Sequence, residues 1–170
     1  NTFTGFNKHI HDEISDEQLQ QGDKWFESYF MDTLIRLCEG SEEYAMWTLQ
    51  FFAQIIQHPE DRKDRAIIIV GKQGTGKNSI LEAISRIIGE DHYSTSSDPT
   101  SYFGEHAIEH AHKLICNFDE SSCRNADKFS EQLKAFITTN TIEINEKYVK
   151  QYKLKNYARI IATSNKTTAL

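Results

Sequence analysis

The order of apolar and polar positions divides the chain into a helical first part and a mixed second part. "SDEQ" from Ser15 has the capping-box pattern, and Ser41 precedes two acidic residues as the cap of a second helix would. His58-Pro59 ends that helix, because a proline disfavours helical backbone in the residue before it. We therefore predict an N-terminal helical segment over residues 1–64. Its apolar residues recur at helical spacing: Phe26, Phe30, Leu34 and Leu37, then Trp47, Phe51 and Ile55.

From residue 65 onward, short apolar runs alternate with helical patterns. "AIIIV", "KLICNFDE" and "ARIIATSN" predict strands, and the first is expected to be buried on both faces. "TIEINEKYVKQYKLKN" alternates apolar and polar residues around a turn, which predicts a β-hairpin before the last strand. Two helices are predicted from Ile80, Ile84, Ile87 and Ile88, closed by Gly89, and from Phe129, Leu133, Phe136 and Ile137. The pattern indicates an α/β core over residues 65–170, with a parallel sheet flanked by helices.

The composition is that of an ordinary globular protein, with 38% hydrophobic and 26% charged residues among 170. No apolar run is long enough to span a bilayer, and the first residues lack the signal-peptide pattern, so we expect no membrane partner. The three cysteines lack framework spacing, which is typical of reduced thiols in a cytoplasm-like compartment. Because residue 1 is not Met, we expect a piece of a longer protein.

The formal net charge of −6 is unevenly distributed along the chain. Residues 1–64 carry five basic and 13 acidic side chains, whereas residues 65–170 carry 14 and 12. The predicted hairpin is therefore either a solvated edge that lysines protect from aggregation or a surface for a nucleic-acid backbone. In the second interpretation Lys147 and Lys150 contact phosphates and Tyr148 stacks on a base. The predicted basic stripe consists of Lys147, Lys150, Lys153, Lys155 and Arg159.

"GKQGTGKNS", residues 71–79, nearly matches the phosphate-loop pattern G-x-x-x-x-G-K-[ST]. Its glycines allow backbone N–H groups to turn toward phosphate oxygens, Lys77 adds a charge, and the following helix adds its positive end. Asn78 stands where a hydroxyl normally meets Mg²⁺, and its side-chain oxygen is a suitable ligand for that ion. The alternative is a glycine-rich turn with no ligand. The candidate nucleotide-binding residues are Gly71, Lys72, Gln73, Gly74, Thr75, Gly76, Lys77, Asn78 and Ser79.

Polar side chains end two of the predicted strands. Asp119 and Glu120 follow the second apolar run, 42 and 43 residues after Lys77, and Asn165 ends the third. In parallel sheets ligands bind at the carboxyl ends of the strands. We expect Asp119 to hold Mg²⁺ through water and Glu120 to polarise the attacking water. Asn165 is expected to reach the γ-phosphate or that water.

Three histidines, His106, His110 and His112, invite a metal-site hypothesis. They have no cysteine partner at a suitable spacing and no second cluster. The sequence therefore favours a polar helix face.

In this order, "GKQGTGKN", "LICNFDES", "LKAFITTNTIEINEKYVKQYKLKN" and "ARIIATSN" resemble the superfamily 3 helicases. More closely, these motifs resemble those of the helicase domain of poxvirus-type primase-helicases from phages and large DNA viruses. The resemblance implies an AAA+-like P-loop NTPase fold with ATP and Mg²⁺ as ligands. It also implies assembly into a ring, commonly a hexamer, that moves along single-stranded or forked DNA.

Carried over by position, residues 71–78 resemble the Walker A motif, and Asp119 with Glu120 resembles Walker B. Residues 146–150 would lie in the DNA-contacting hairpin, and Asn165 would be the sensor after the fourth core strand. Asn78 departs from the wider superfamily pattern. An arginine that completes a neighbouring subunit's site lies downstream of the sensor in this family, and we assign it to no residue here.

The expected function is that of an ATP-dependent DNA helicase domain in a viral or prophage replication protein, located in the host cytoplasm. The resemblance, but not the sequence itself, implies a primase domain in the same chain. One alternative is a small-molecule P-loop kinase. That enzyme needs a lid rich in arginines, and only Arg124 and Arg159 follow Gly89. The other alternative is a nucleotide-binding assembly module without turnover, against which Glu120 argues.

Overall fold

Helices make up the first part of the chain, as the apolar spacing predicts. The structure, a computed structural model, describes residues 13–62, 64–96, 102, 110–119, 126–145 and 149–165. The helical elements are α1 (Asp16–Trp25), a π-helical turn (Phe26–Met31), α2 (Asp32–Leu37) and α3 (Glu42–Gln57).

Both predicted helix starts are confirmed. The Ser15 hydroxyl accepts a hydrogen bond from the Gln18 N–H at 3.3 Å, and the Gln18 side chain accepts one from the Ser15 N–H at 3.0 Å. The Ser41 hydroxyl accepts from the N–H of Tyr44 at 3.3 Å. These side chains satisfy N–H groups that have no partner within their own helices.

The second part alternates strands and helices. Its elements are β1 (Ala66–Val70), α4 (Lys77–Ile88), a 3₁₀ turn (Glu90–His92), β2 (Tyr93–Ser96), β3 (Ile115–Asp119), α5 (Ala126–Thr138), β4 (Thr141–Ile144), β5 (Tyr152–Lys155) and β6 (Arg159–Ser164). The predicted hairpin is confirmed, since β4 and β5 pair antiparallel. The strand β2 was not predicted, because its four residues, "YSTS", contain no apolar run.

A parallel four-stranded sheet in the order β1-β6-β3-β2 organises this part. The predicted α/β class with a parallel sheet flanked by helices is therefore confirmed. In a parallel sheet all strands end at the same edge, so the residues after β1, β3 and β6 lie near one another. In the part of the chain that the structure describes, no helix combines the length and apolarity that crossing a membrane requires.

The two faces of the sheet are covered by different elements. On one face, Phe30 and Leu34 of the helical segment share a hydrophobic cluster with Ile67 and Ile69 of β1. On the other face, α5 and the hairpin pack against β3 and β6. The prediction that β1 is buried on both faces is wrong, because Ile68 is 45% exposed. β1 contributes only its first residue, partly buried, to the second cluster.

Two arginines fix the charged stretch that precedes β1. The Arg62 side chain donates hydrogen bonds to the carbonyls of Phe136 and Ile137, each at 2.6 Å, at the C-terminal end of α5. Arg159 donates to the carbonyls of His58 and Asp61, each at 3.0 Å. The stretch is therefore held against the core. The division into a helical segment over residues 1–64 and a core over residues 65–170 stays a prediction.

Arg159 was predicted to belong to the basic stripe, and this is wrong. Only 1% of the residue is exposed, so it cannot present charge to a partner. Burial, and then the neighbouring charge of Arg62, lower the pKa of Arg159 to about 10. Four backbone carbonyls accept hydrogen bonds from its two Nη atoms, as expected for a buried cation with a structural role, while its buried Nε has no partner among the described residues.

Candidate functional site

The phosphate-loop candidate joins the end of β1 to the start of α4. Gly74 and Gly76 have φ angles of +83° and +95°, which favour glycine because a side chain is strained in the left-handed region. Gly76 directly precedes the first residue of α4. The glycine spacing of the motif therefore places the loop at a helix N-terminus, where backbone N–H groups have no helical partner.

The loop holds a row of free hydrogen-bond donors. The Gly71 N–H donates to the Ser164 carbonyl at 3.0 Å, and the Ile80 N–H donates to the Gly76 carbonyl at 3.2 Å. Between them, within the part of the chain that the structure describes, the backbone N–H groups of residues 72–79 donate no hydrogen bond to the protein. Successive unpaired N–H groups at a helix start form a concave site for an anion.

Lys77 lies at the centre of this loop and is only 7% exposed. Its ammonium donates hydrogen bonds to the carbonyls of Gly71 and Lys72, the latter at 2.9 Å, and to the Asn165 side-chain oxygen at 3.1 Å. Among the described residues no carboxylate lies within ion-pair distance of it. A buried ammonium without a counter-charge is costly, and an anion in the loop would offset that cost.

A cavity of about 850 Å³ opens above the loop. It brings together candidate residues that are far apart in the sequence: residues 73–79 from the loop, Asp119 from the end of β3 and Asn165 from the end of β6. Gly71 and Lys72 contribute their carbonyls to Lys77. Glu120, Lys147 and Tyr148 lie outside the described residues, and their roles stay predictions.

The oxygen donors of the cavity fit the chemistry of Mg²⁺. Asn78 and Asp119 are both exposed and both line the cavity, so a side-chain amide oxygen and a carboxylate face the same space. Mg²⁺ is usually held by one or two carboxylates together with waters and substrate phosphates. Among the described residues no group of three or more His, Cys, Asp or Glu side chains forms a metal site of its own.

Three cavity residues come from the helical segment and were not predicted: Tyr29, Thr33 and Arg36. Thr33 is buried directly over the loop, since a Cβ atom built on Gly76 would lie 2.6 Å from the Thr33 Cγ2. Tyr29 lies in the π-helical turn, and such turns often occur at functional sites. No sequence motif marks these residues, because only the path of the chain brings them to the loop.

The hairpin places part of the predicted basic stripe on the surface. Lys153 forms an exposed ion pair with Glu143 on the opposite strand at 3.2 Å. The Lys155 ammonium lies 4.9 Å from the centre of the Tyr157 ring. Lys150 is exposed beyond the paired residues and does not line the cavity. The described lysines of the hairpin, Lys150, Lys153 and Lys155, therefore lie apart from the residues that line the cavity.

The predicted histidine face is described only in part. His110 is half-buried, with its ring centre 4.1 Å from that of Tyr102, whereas His112 is exposed. His106 lies outside the described residues. The metal-site hypothesis gains no support from these positions.

Comparison with known proteins connects the chain to phage DNA replication. The chain is 34% identical over 125 residues to the DNA primase-polymerase of Nitratiruptor phage NrS-1, an alignment that covers 70% of this chain and 17% of that protein. It also resembles the apo structure of the NrS-1 C-terminal region, with 30% identity and a TM-score of 0.68 over 82% of this chain and 34% of that one. An A-form apo structure of the same region gives 31% identity and a TM-score of 0.64, over 79% and 32%.

The chain thus spans about one sixth of the primase-polymerase and about one third of the NrS-1 structures. The matching family model, described as "Family of unknown function (DUF5906)", covers residues 69–170, from the end of β1 to the end of the chain. That model includes every predicted catalytic and nucleotide-binding residue. The chain belongs to the DUF5906 family.

Proposed function

We propose that this chain is the ATP-binding core of a phage replication protein and that ATP hydrolysis in it drives movement along single-stranded DNA. The observation that carries the proposal is the buried ammonium of Lys77 beside the unpaired N–H groups of residues 72–79. A polyphosphate supplies the negative charge that Lys77 lacks and the acceptor oxygens that the N–H groups lack. In this proposal the fold is a P-loop NTPase of the AAA+ type.

Different residues of the chain would bind the phosphates, hold Mg²⁺ and support hydrolysis. Lys77 would exchange its carbonyl acceptors for phosphate oxygens, and the N–H groups of the loop would orient the same phosphates. Asn78 and Asp119 would hold Mg²⁺, which neutralises charge on the phosphates and so favours attack by water. Asn165 accepts a hydrogen bond from Lys77 and would lose it if that ammonium moved toward the phosphates. Its side chain could then contact the γ-phosphate or the attacking water.

Glu120 would accept the proton of the attacking water. It follows Asp119, which is the last residue of β3 and lines the cavity. A general base contributes typically about 10²- to 10⁴-fold to a rate. Glu120→Gln should therefore bind ATP normally and hydrolyse it far more slowly.

The DNA substrate is proposed from the relatives and from the hairpin. The similar phage protein is named a DNA primase-polymerase. Lys147, Tyr148 and Lys150 would contact single-stranded or forked DNA from the end of the hairpin, through phosphate contacts and stacking. Ring assembly, commonly as a hexamer in the helicases that the sequence resembles, would bring the hairpins of several copies around one strand, in the cytoplasm of the host cell. A primase domain in the same protein would fit this role.

The kinase alternative gains no support from the described residues. Of the two arginines after Gly89, Arg159 is buried and hydrogen-bonded to backbone carbonyls. It is therefore not available to clamp a second phosphoryl group. Arg124 lies outside the described residues.

The first experiment is a titration of a fluorescent ATP analogue into the parent chain and Lys77→Ala, with Mg²⁺ present. We expect Lys77→Ala to lose about 100-fold or more in affinity, because charge-assisted hydrogen bonds to phosphate are lost. Unchanged affinity in Lys77→Ala would remove the phosphate-loop proposal. Asn78→Ser, which restores the usual hydroxyl, is the matched control and should retain binding.

The second experiment measures ATP turnover with and without single-stranded DNA. Stimulation by DNA that disappears in Glu120→Gln supports translocation. Binding of ATP without any DNA-dependent turnover favours the assembly-module alternative, and phosphoryl transfer to a small acceptor favours the kinase.

A further inference from the structure

The helical segment contributes a cation to the cavity above the phosphate loop. Arg36, in the last turn of α2, lines this cavity together with the loop residues 73–79. Lys77 and Arg36 are the two basic side chains among the described residues that line it. They approach from different parts of the fold, since Lys77 begins α4 and Arg36 lies 41 residues earlier in the chain.

Two contacts hold the Arg36 guanidinium at the rim of the cavity. One Nη atom is 2.7 Å from the Asp32 carboxylate, and the other donates a hydrogen bond to the Thr33 hydroxyl at 3.0 Å. A guanidinium has five N–H donors, so these contacts leave donors for a ligand. The side chain is 63% exposed, and a ligand can therefore reach it without displacing the core.

The helix that carries Arg36 cannot shift freely against the loop. Thr33 is 3% exposed and packs over Gly76, leaving no room for a Cβ atom there. Two residues near Thr33, Phe30 and Leu34, also belong to the core, in the cluster that includes Ile80 of α4. Arg36 is thus presented to the cavity by a rigid element and not by a loop.

We infer that Arg36 binds the phosphate groups of the nucleotide that the loop holds, as a second cation supplied in cis by the helical segment. The inference rests on the proposed nucleotide-binding function and adds a residue outside the region that the family model covers. An otherwise acidic segment would then contribute directly to the nucleotide site. Nucleotide binding would also link α2 to α4 through one ligand.

The chain offers a matched control for this inference. Arg86 on α4 forms an exposed i,i+4 ion pair with Glu82, as Arg36 does with Asp32, but it does not line the cavity. Arg36→Ala and Arg86→Ala therefore remove similar surface ion pairs, each worth little to stability. Only the first removes a cation from the cavity.

The experiment measures dissociation constants for Mg²⁺-ATP and for inorganic tripolyphosphate in the parent, Arg36→Ala, Arg86→Ala and Lys77→Ala. We expect Arg36→Ala to weaken both ligands by about tenfold, since a charge-assisted contact is lost. Arg86→Ala should stay within about twofold of the parent. Equal loss for both ligands identifies the phosphates, because tripolyphosphate has no base or sugar.

Arg36→Ala within twofold of the parent for both ligands, with binding lost in Lys77→Ala, would overturn the inference and leave the loop proposal standing. A loss confined to ATP would also overturn it, because Arg36 would then contact the nucleoside. Unchanged binding in Lys77→Ala would instead reject the proposed function. If Arg36→Ala unfolds, Arg36→Gln keeps a donor for Thr33 without the charge and should show the same tenfold loss.

Discussion

Two regions of this molecule bury basic side chains, and the groups around the buried cations differ. In the first, Lys77 has three neutral acceptors and lies beside a cavity and a row of unpaired N–H groups. In the second, Arg62 donates to four backbone carbonyls, and Arg159 donates to another four, and neither residue lines the cavity above the loop. The sequence gives all three residues the same charge.

The difference shows how a binding cation is distinguished from a structural one. Burial is common to both regions, so burial alone decides nothing. What differs is whether the surrounding donors are satisfied. Around Arg62 and Arg159 backbone carbonyls accept from the guanidinium groups, except at the Nε of Arg159, whereas beside Lys77 the loop leaves a row of backbone N–H groups that an anion can satisfy.

The largest expected effect tests the structural side of this comparison. Arg159→Met should lower the free energy of unfolding by about 3 kcal/mol, because part-buried carbonyls of residues 58–61 lose their donors and a fully buried side chain is replaced. Urea unfolding followed by circular dichroism measures it. Lys155→Met, a change of an exposed base at the end of β5, is the control and should stay within about 0.5 kcal/mol of the parent.

The corresponding change at Lys77 tests the binding side of this comparison. Lys77→Met should leave the free energy of unfolding within about 1 kcal/mol of the parent, since it also removes the cost of burying an unpaired cation. Equal destabilisation by Lys77→Met and Arg159→Met would show that both cations are structural.

The next effect tests the contact between the helical segment and the loop. Gly76→Ala combines a φ of +95° with a Cβ only 2.6 Å from the Thr33 Cγ2, so it should cost about 2–3 kcal/mol of stability. Gly40→Ala has a φ of +83° and free space around the new Cβ, so it should cost only about 1 kcal/mol. Thermal or urea unfolding measures both.

Thr33→Ser removes the clashing methyl and keeps the hydroxyl that accepts from Arg36. In the double variant with Gly76→Ala it should recover about 1 kcal/mol of the loss. Independent, additive effects of the two changes would contradict the packing of α2 on the loop.

The smallest effect appears only at alkaline pH. Burial raises the pKa of the Cys116 thiol from 9.0 to about 12. Between these values the unfolded chain has lost the proton that the folded chain keeps, so stability falls as pH rises through this range. We expect Cys116 to account for a loss of about 1 kcal/mol between pH 9 and pH 10.

Cys116→Ala should remove this part of the pH dependence. The remaining decrease would come from Tyr93 and Tyr102, whose pKa values are also raised by burial. An unchanged pH profile in Cys116→Ala would mean that the thiol titrates alike in both states. Urea unfolding at several pH values between 7 and 10 provides the comparison.

The local features of this protein were predictable from its sequence. The caps at Ser15 and Ser41, the start of α4 after Gly76 and the apolar strand β3 follow from interactions among residues only a few positions apart. The position of the phosphate loop was predictable for the same reason. Its glycine spacing requires a left-handed turn before a helix, wherever the rest of the chain lies.

The residues that surround that loop could not be predicted from the sequence, because they depend on the tertiary structure. Thr33 and Arg36 meet it because the core that Phe30 and Leu34 share with α4 sets the position of α2. The burial of Arg159 depends on carbonyls about 100 residues earlier in the chain. The four lysines that precede it, at positions 147–155, therefore led to the wrong prediction of a surface residue. Such contacts join segments that are distant in sequence, and their pairing depends on the whole path of the chain. Periodicity and motif spacing record only what happens within one element or one turn.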